Sequence, residues 1–308
     1  MALTIGQLSA ITRKYHMPKL FDNIFDSNAL LARIKKSGSY QSVSGGTSME
    51  IPLAFAANSA GGWFDGADTL DTNDSDAFTA ASYNWAHSYE NITITDADQI
   101  KNSGSDAQVV DLVGAKTQWA EASLKDLLGT GLYNDGTTPN AISGLRAAVD
   151  STTNTYGGID RTTNSWWNPQ RDTTTTTLSI PKMTSMYGDC RIDSDAPTVL
   201  VSQQDIWDTY HGLLQPQERF QDSSSADGGF KSLLFQGTPY LVDSHSPSGD
   251  LWFLNEKYLM LKYHPDKNFS FQPFARPVNQ AASFGKIFWS GQFCVSNARL
   301  QGVMTAIA

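Results

Sequence analysis

The longest amphipathic stretch of the chain lies in its first half. Its apolar side chains recur at three- and four-residue steps and so share one helical stripe; they are Val109, Leu112, Val113, Trp119, Ala120, Leu124, Leu127 and Leu128. Ser105 and Gln108 have the spacing of a capping box. Gly129 and Gly131 indicate the end, because glycine tolerates a left-handed last turn. The pattern predicts a helix over 105–129, which we call the spine helix because other elements can pack along it.

Ahead of the spine helix, the pattern predicts a long hairpin. Residues 48–55 read as an outgoing strand, and residues 77–86 and 91–95 as the return. The Gly-, Asn- and Asp-rich tip between them carries apolar Trp63 and Phe64. A two-stranded hairpin is marginal alone in water, so we expect it to lie on another surface.

Shorter elements are predicted elsewhere. An N-terminal arm over 1–36 reads as two short helices, Thr4–Tyr15 and a second one capped by Ser27 with Leu30, Leu31 and Ile34 on one face. After the spine helix, a short helix ends at Gly188 and another follows Ser202. Strands are predicted at 196–201, 238–242, 251–254, 258–263, 286–295 and 299–306. Helices and strands do not alternate regularly, which is typical of the α+β class.

Charge is distributed unevenly along the chain. The first 36 residues have a net charge of +4, from Asp22 and Asp26 against Arg13, Lys14, Lys19, Arg33, Lys35 and Lys36. Residues 37–100 contain no Lys or Arg and nine acidic residues, a charge of −9. The whole 308-residue chain also has a net charge of −9, which argues against tight binding of nucleic acid.

Composition and the termini narrow the class of protein further. Charged residues make up 17% of the chain, below the roughly 25% of typical soluble domains, which favours polar surface that is loop or is covered by a partner. The N-terminus lacks the apolar core of a signal peptide, and no run approaches the ~18 apolar residues of a membrane span. We expect synthesis in the cytoplasm and no membrane partner. Cys190 and Cys294 form no CxxC pair and are predicted to be buried free thiols.

Residues that could carry chemistry lack the spacing that the chemistry needs. Residues 71–76 resemble the start of a calcium loop, but Asp76 and Ser82 stand where an EF-hand requires Gly and Glu. The glycines after the spine helix do not follow a strand, as a dinucleotide-binding turn must. The five histidines lie in separate elements, and neither HExxH nor GxSxG occurs. We therefore predict no catalytic residue, no cofactor and no bound metal, and a protein that is not an enzyme.

Three groups of short strings occur in an order typical of one family. They are residues 131–136 (GLYNDG) with Gly144-Leu145, residues 156–161 (YGGIDR) with Trp166-Trp167, and residues 237–243 (GTPYLVD) leading to Leu254-Asn255. With the arm, hairpin, spine helix and closing strands, this order resembles the major capsid (coat) protein of tailed bacteriophages, which has the Hong-Kong-97-type fold. The resemblance covers nearly the whole chain.

The resemblance implies a fold divided into four parts. They are an N-terminal arm (1–40), an extended hairpin loop (41–98), a peripheral domain containing the spine helix (99–181 and 271–308) and an axial domain (182–270). It implies a structural protein that self-assembles into the icosahedral head around phage double-stranded DNA. Assembly would take place in the bacterial cytoplasm, and the mature protein would be part of the virion.

The resemblance also implies partners. They are further copies of the chain in hexamers and pentamers, a scaffolding protein, a portal, and packaged DNA held loosely and without sequence specificity. Some relatives cross-link through a lysine in the loop, but this chain has none between Lys36 and Lys101, so we expect no isopeptide cross-link. A long charged helical N-terminal segment is also missing, so we expect a separate scaffolding protein and no large N-terminal cleavage.

In this family the hairpin lies across a neighbouring subunit, so we expect the basic arm and the acidic loop to meet between subunits. Exposed aromatic side chains usually mark such binding surface. The predicted subunit-interface residues are Arg13, Lys14, Lys19, Trp63, Phe64, Asp65, Asp68, Asp160 and Arg161. For Asp160 and Arg161, stabilisation of a local turn is an equal alternative.

Two other functions stay open. The first is an encapsulin-like protein nanocompartment, which shares the fold. The second, from another class, is a secreted β-rich glycan-binding protein or glycosidase. The missing secretion signal and the absence of a disulfide pattern weigh against the second.

Overall fold

The computed structural model describes residues 28–58, 60–70, 77–101, 106–174, 177–214 and 232–307. Some predicted features lie outside these residues or concern side chains that are not described. They are the helix at Thr4–Tyr15, the basic residues Arg13, Lys14 and Lys19, the cap at Ser27, the acidic turn at 71–76, the capping box of Ser105 and Gln108, and the side chain of Val109.

The described residues combine helices and strands in the α+β manner predicted. The α-helices are α1 (Ala29–Lys36), α2 (Asp96–Lys101), α3 (Asp106–Gly131), α4 (Leu145–Val149), α5 (Ile180–Asp189) and α6 (Gln204–Leu213). The strands are β1 (Tyr40–Ser42), β2 (Ser48–Ala54), β3 (Phe78–Asn84), β4 (Ala86–Thr95), β5 (Thr155–Tyr156), β6 (Ile159–Asp160), β7 (Gln170–Asp172), β8 (Val199–Ser202), β9 (Ser232–Phe235), β10 (Thr238–Val242), β11 (Leu251–Leu254), β12 (Leu259–Tyr263), β13 (Ser270–Ala275), β14 (Ala282–Val295) and β15 (Gly302–Met304).

One sheet of six strands has the order β7-β15-β11-β8-β10-β9. Along β11, Trp252 and Leu254 face the larger hydrophobic core, whereas Leu251 and Phe253 face a second core that includes side chains of α5 and α6. A strand that is buried on both faces reads as a continuous apolar run rather than an alternating one. This explains the sequence Leu-Trp-Phe-Leu.

A second sheet of five strands is built on β14, which is 14 residues long. This strand pairs with β4, β12 and β13, and β12 in turn pairs with β1 in parallel. At Gly291, β14 pairs with both Ala86 of β4 and Tyr263 of β12. A Cβ at Gly291 would lie 2.3 Å from the carbonyl oxygen of Lys262, so only glycine permits the approach.

The spine helix is α3, and its predicted extent is confirmed to within two residues at each end. Its described buried residues recur at three- and four-residue steps: Val113, Thr117, Ala120, Leu124 and Leu128. The prediction that Trp119 and Leu127 belong to this stripe is wrong, because Trp119 is 70% exposed and Leu127 is also exposed. Each precedes a buried residue by one position, which is a rotation of about 100° around the helix.

The end of the arm is held by the body of the subunit. Leu30, Leu31 and Ile34 of α1 are buried on one face, as predicted. Arg33 donates two hydrogen bonds to the carboxylate of Glu256, at 2.9 and 2.8 Å. The side chain of Asn28 caps the helix by accepting from the amide of Leu31. Helix α1 is therefore part of the folded body and not a free arm.

The predicted hairpin is confirmed over seven residue pairs, from Ser48–Asn84 to Ala54–Phe78. The prediction that residues 91–95 belong to its return arm is wrong. These residues lie in β4, which pairs with β14 and buries Ile92 and Ile94 in the core. The hairpin proper is therefore shorter than the segment 41–98.

Strand pairing crosses the segment bounds of the predicted peripheral and axial domains. Strand β12, predicted in the axial segment, pairs with β14 in the five-stranded sheet. Strands β7 and β15, both predicted in the peripheral segment, lie in the six-stranded sheet, where β15 pairs with β7 and β11. The chain thus passes between the two sheets, and the division into two domains stays a prediction.

Cys190 and Cys294 are buried and free, as predicted. Burial raises the pKa of the Cys294 thiol to about 12, so this thiol is protonated and unreactive at neutral pH. Among the helices of the described residues, none combines the length and apolar character needed to cross a membrane.

The two faces of the spine helix give a matched pair of substitutions. We expect Leu124→Ala to lower the free energy of unfolding by ~2–5 kcal/mol, because it leaves a cavity in the core. We expect Trp119→Ala to change it by no more than ~0.5 kcal/mol in the unassembled subunit, because Trp119 faces solvent there. Chemical denaturation at low protein concentration measures both. Equal losses for the two variants would contradict the assigned face.

Candidate subunit interface

The base of the hairpin is fastened to its own subunit by the Tyr-Gly-Gly string. The amide of Ser82 in β3 donates to the carbonyl oxygen of Gly157 at 2.8 Å. Gly157 has a φ of +60°, and a Cβ there would lie 3.0 Å from the Cβ of Ala81 and 3.1 Å from the ring of Tyr83. The glycine therefore permits both the turn and the close contact with the hairpin.

Aromatic side chains complete this attachment. The hydroxyl of Tyr83 donates to the carbonyl oxygen of Val295 at 2.7 Å, and its ring packs edge-on against Tyr156 at a centroid distance of 5.4 Å. Burial raises the pKa of Tyr83 well above its usual value, so the hydroxyl stays a donor. Beyond the paired strands, Phe55 stacks on Trp166 at 5.2 Å. One face of the hairpin is thus covered within the subunit.

The outer end of the hairpin has a different environment. Its exposed large apolar side chains are Trp63, Phe64, Leu70 and Phe78, and Trp63 is fully exposed. The amide of Asp65 donates to the Asp68 carboxylate, and the amide of Asp68 donates to the Asp65 carbonyl oxygen, both at 2.8 Å. This turn presents two carboxylates beside the two predicted aromatic residues. We call residues 60–70 together with Phe78 the tip.

Asp160 and Arg161, predicted together, have different environments. Asp160 accepts from the amide of Thr162 at 2.9 Å and from its hydroxyl at 2.6 Å, which lowers the pKa of Asp160. Arg161 is only 1% exposed. Its guanidinium lies 5.2 Å from the Tyr156 ring centroid, and burial lowers the pKa of Arg161 to about 10, so it stays charged at neutral pH.

The oxygens that Arg161 binds all belong to the segment just before it. Its guanidinium donates to the carbonyl oxygens of Ala147 and Ala148, in the last turn of α4, and to that of Ser151. It also donates to the Asn154 side chain at 2.8 Å. The last carbonyl groups of a helix have no hydrogen-bond donors within the helix. For α4, the Arg161 guanidinium supplies these donors. These contacts support the local alternative for Arg161, the stabilisation of a turn, and its place in a subunit interface stays a prediction.

A second exposed surface was not predicted from the sequence. It lies along the outer face of the spine helix, where Trp119 and Leu127 are exposed, and on β4, where Tyr89 is exposed. A cleft of about 690 Å³ opens beside it, lined among others by Leu127, Tyr89, Arg146 and His245. Reading the helix with its buried stripe at Val113 and Ala120, instead of at Trp119, would have indicated this surface.

Chemistry other than association finds no support in the described side chains. No three His, Cys, Asp or Glu residues among them converge as metal ligands. The exposed apolar side chains that the geometry shows form two groups, the tip with its two carboxylates and the outer face of the spine helix.

Many solved structures share this architecture, and three of them illustrate it. A capsid protein of cyanophage A-1(L) matches with a TM-score of 0.67 and 15% identity, over 87% of this chain and 90% of that one. The SrpI encapsulin of Synechococcus elongatus matches with a TM-score of 0.60 and 9% identity, over 91% and 87%. A chain of the satellite phage P4 procapsid, which includes a size determination (Sid) protein, matches with a TM-score of 0.53 and 11% identity, over 94% and 90%.

The shared fold extends over nearly the full length of each chain. No protein-family model and no curated protein matches this sequence, so the similarity lies in the structure. The chain has the Hong-Kong-97-type fold that phage capsid proteins share with encapsulins, as its sequence resemblance implied.

The environment of Arg161 leads to a stability prediction. We expect Arg161→Met to lower the free energy of unfolding by more than ~2 kcal/mol, because it leaves buried carbonyl oxygens without donors. The control is Arg171→Met, which removes a partly exposed ion pair with Asp150 and should cost no more than ~1 kcal/mol. Denaturant titration of the unassembled subunit compares them. An Arg161→Met variant as stable as the parent would show that the guanidinium is free for another role.

Proposed function

We propose that this chain is a major capsid protein, which assembles with copies of itself, as hexamers and pentamers, into an icosahedral phage head around double-stranded DNA. Support comes from the fold shared with phage capsid chains over nearly the whole length. A protein of this kind acts by association, and no step of its function requires a catalytic residue.

The single observation that carries the proposal is the exposed apolar tip. One face of the paired strands is covered by their own subunit, whereas Trp63, Phe64 and the neighbouring apolar residues of the tip are exposed. Exposed apolar patches of this kind mark interaction sites. Because the tip and the body of the subunit are different surfaces, a tip-to-body contact is heterologous, and repeating it builds rings or larger assemblies.

The parts of the fold take the following roles in the proposal. The hairpin is the extended loop, the spine helix and five-stranded sheet form the peripheral domain, and the six-stranded sheet with α5 and α6 forms the axial domain. The outer face of the spine helix gives neighbouring subunits a second contact surface. Asp160, at the edge of the Tyr-Gly-Gly turn, remains a candidate contact residue.

Further partners belong to the same proposal. The P4 procapsid includes a size determination (Sid) protein, which supports assembly with a separate scaffolding protein. A portal, and assembly in the bacterial cytoplasm, complete the proposal. The net charge of −9 suits a container that holds DNA loosely and without sequence specificity, since strong binding requires Lys and Arg at phosphates. In its mature form the protein belongs to the virion.

An encapsulin-like nanocompartment is a second candidate, favoured by the match to SrpI encapsulin. The gene neighbourhood distinguishes the two. Terminase and portal genes beside this one support the phage head, whereas a gene for a cargo enzyme supports the nanocompartment.

Removing the aromatic side chains of the tip tests whether the tip is needed for assembly. We expect the double variant Trp63→Ser, Phe64→Ser to lose assembly while the unassembled subunit keeps its thermal unfolding midpoint, because both side chains are exposed in the subunit. The control is Val278→Ser, another fully exposed apolar residue, located between β13 and β14. Sedimentation through a sucrose gradient measures assembly. Normal shells from the double variant would refute a role for the tip.

The opposite charges of the arm and the tip give a second test. We expect reversing Arg13, Lys14 and Lys19 to Glu to raise the subunit concentration needed for assembly by about tenfold or more, because each exposed pair is worth ~0–1 kcal/mol. Changing Asp65 and Asp68 to Lys in the same chain should restore part of the loss.

The control for this charge reversal keeps the same change in net charge. It is the triple variant Lys182→Glu, Arg191→Glu, Lys267→Glu, whose three residues are exposed outside the arm and the hairpin. Light scattering against protein concentration measures the onset of assembly. Undisturbed shells from the arm variant would refute the arm-to-tip contact.

A further inference from the structure

Three separate parts of the chain meet at the imidazole of His245, in the turn after β10. Its Nδ1 lies 3.3 Å from Oδ1 of Asp243 in the same turn and 3.2 Å from Nδ2 of Asn28, the cap of α1. Its Nε2 lies 3.2 Å from Oδ1 of Asp126, in the last part of the spine helix. The ring thus connects the six-stranded sheet, the spine helix and the first described helix.

The protonation state of His245 decides which of these contacts it can make. Each ring nitrogen has a carboxylate oxygen within reach, and a carboxylate only accepts, whereas the Asn28 amide nitrogen only donates. A neutral imidazole with its proton on Nε2 donates to Asp126 and accepts from Asn28 at Nδ1. Only the imidazolium donates to both carboxylates at once; it gives up the Asn28 contact, and its charge strengthens the bond to Asp126.

The surroundings hold both the ring and its buried partner in place. Asp243 is buried; its Oδ2 accepts from the Tyr133 hydroxyl at 2.9 Å, and its Oδ1 accepts from the His245 amide at 3.0 Å. Gly129 of the spine helix lies under the ring. A Cβ there would lie 2.7 Å from Cδ2 of His245, so a side chain at this position would collide with the imidazole. The imidazole therefore lies directly against the helix backbone.

The groups that face the ring set the direction of its response to pH. Within the described residues, the titratable ones are Asp243 from its own turn and Asp126 from the spine helix, with Tyr133 behind Asp243. Asn28, from α1, is uncharged. The hydrogen bond to Asp243, and the charges of both carboxylates, raise the pKa of His245, and partial burial opposes this.

We propose that His245 is a pH-dependent latch, which as an imidazolium joins the end of the spine helix to the turn after β10 and which loosens when it is deprotonated. Because the folded-state pKa lies above the unfolded value of about 6.5, the stabilisation by this latch is complete below pH ~6.5. It is lost as pH rises through the folded-state pKa. The spine helix and the six-stranded sheet are therefore joined more tightly in mildly acidic than in alkaline solution.

Hydrogen exchange of the full chain, read by mass spectrometry at pH 6 and pH 9, tests the latch. Asp126→Asn removes a carboxylate that is 78% exposed, so this variant should fold, and His245→Gln removes the titrating group. In peptides covering 120–131 and 240–250, we expect both variants to exchange at least about threefold faster than the parent at pH 6. At pH 9 the ratio of the variant's exchange rate to the parent's should fall toward one.

The control is Glu121→Gln, which removes a different carboxylate from the same helix; its ratio should stay near one at both pH values. Comparing variant and parent at the same pH removes the intrinsic pH dependence of exchange. The latch is refuted if Asp126→Asn matches the parent at pH 6, or if its excess exchange is equal at pH 6 and pH 9. The second result would indicate an ordinary structural contact.

Discussion

The pairing of β14 with three other strands is the interaction on which the architecture depends. Ten consecutive residues of β14 pair with β4, and the same strand continues into its pairing with β12. At the junction, Gly291 lets the Lys262 carbonyl approach to a distance that any side chain would prevent. Because β4 directly follows the hairpin and packs under the spine helix, β14 fixes the position of both in the subunit.

This anchoring explains how the hairpin would serve association in the proposed shell. The subunit binds the hairpin base through Gly157, Tyr83 and the neighbouring aromatic residues, and so holds the paired strands at a defined angle. The tip lies beyond that support, and its apolar side chains reach solvent. A rigid base with an uncovered apolar end can place one subunit against the next, which a flexible loop would do only at a large cost in conformational entropy.

Much of this fold could be predicted from the sequence, and the failures share physical causes. The spine helix, the hairpin strands and the apolar runs of β8 and β11 follow from local periodicity. Trp119 was assigned to the wrong face because neighbouring apolar residues in a helix point about 100° apart. For Arg161 the sequence left two alternatives open, because a charged residue suggests a surface, whereas this one supplies donors to the end of α4. The pairing of β15 with β11 is non-local, and no sequence pattern encodes it.

We propose that this chain forms closed shells by repeated contacts between unlike surfaces. Electron microscopy of the purified protein, across a range of concentrations and with no other component, tests it most directly. We expect closed shells, or the rings and curved sheets from which shells are built, with hexameric and pentameric units. A protein that stays strictly monomeric at every concentration would contradict it.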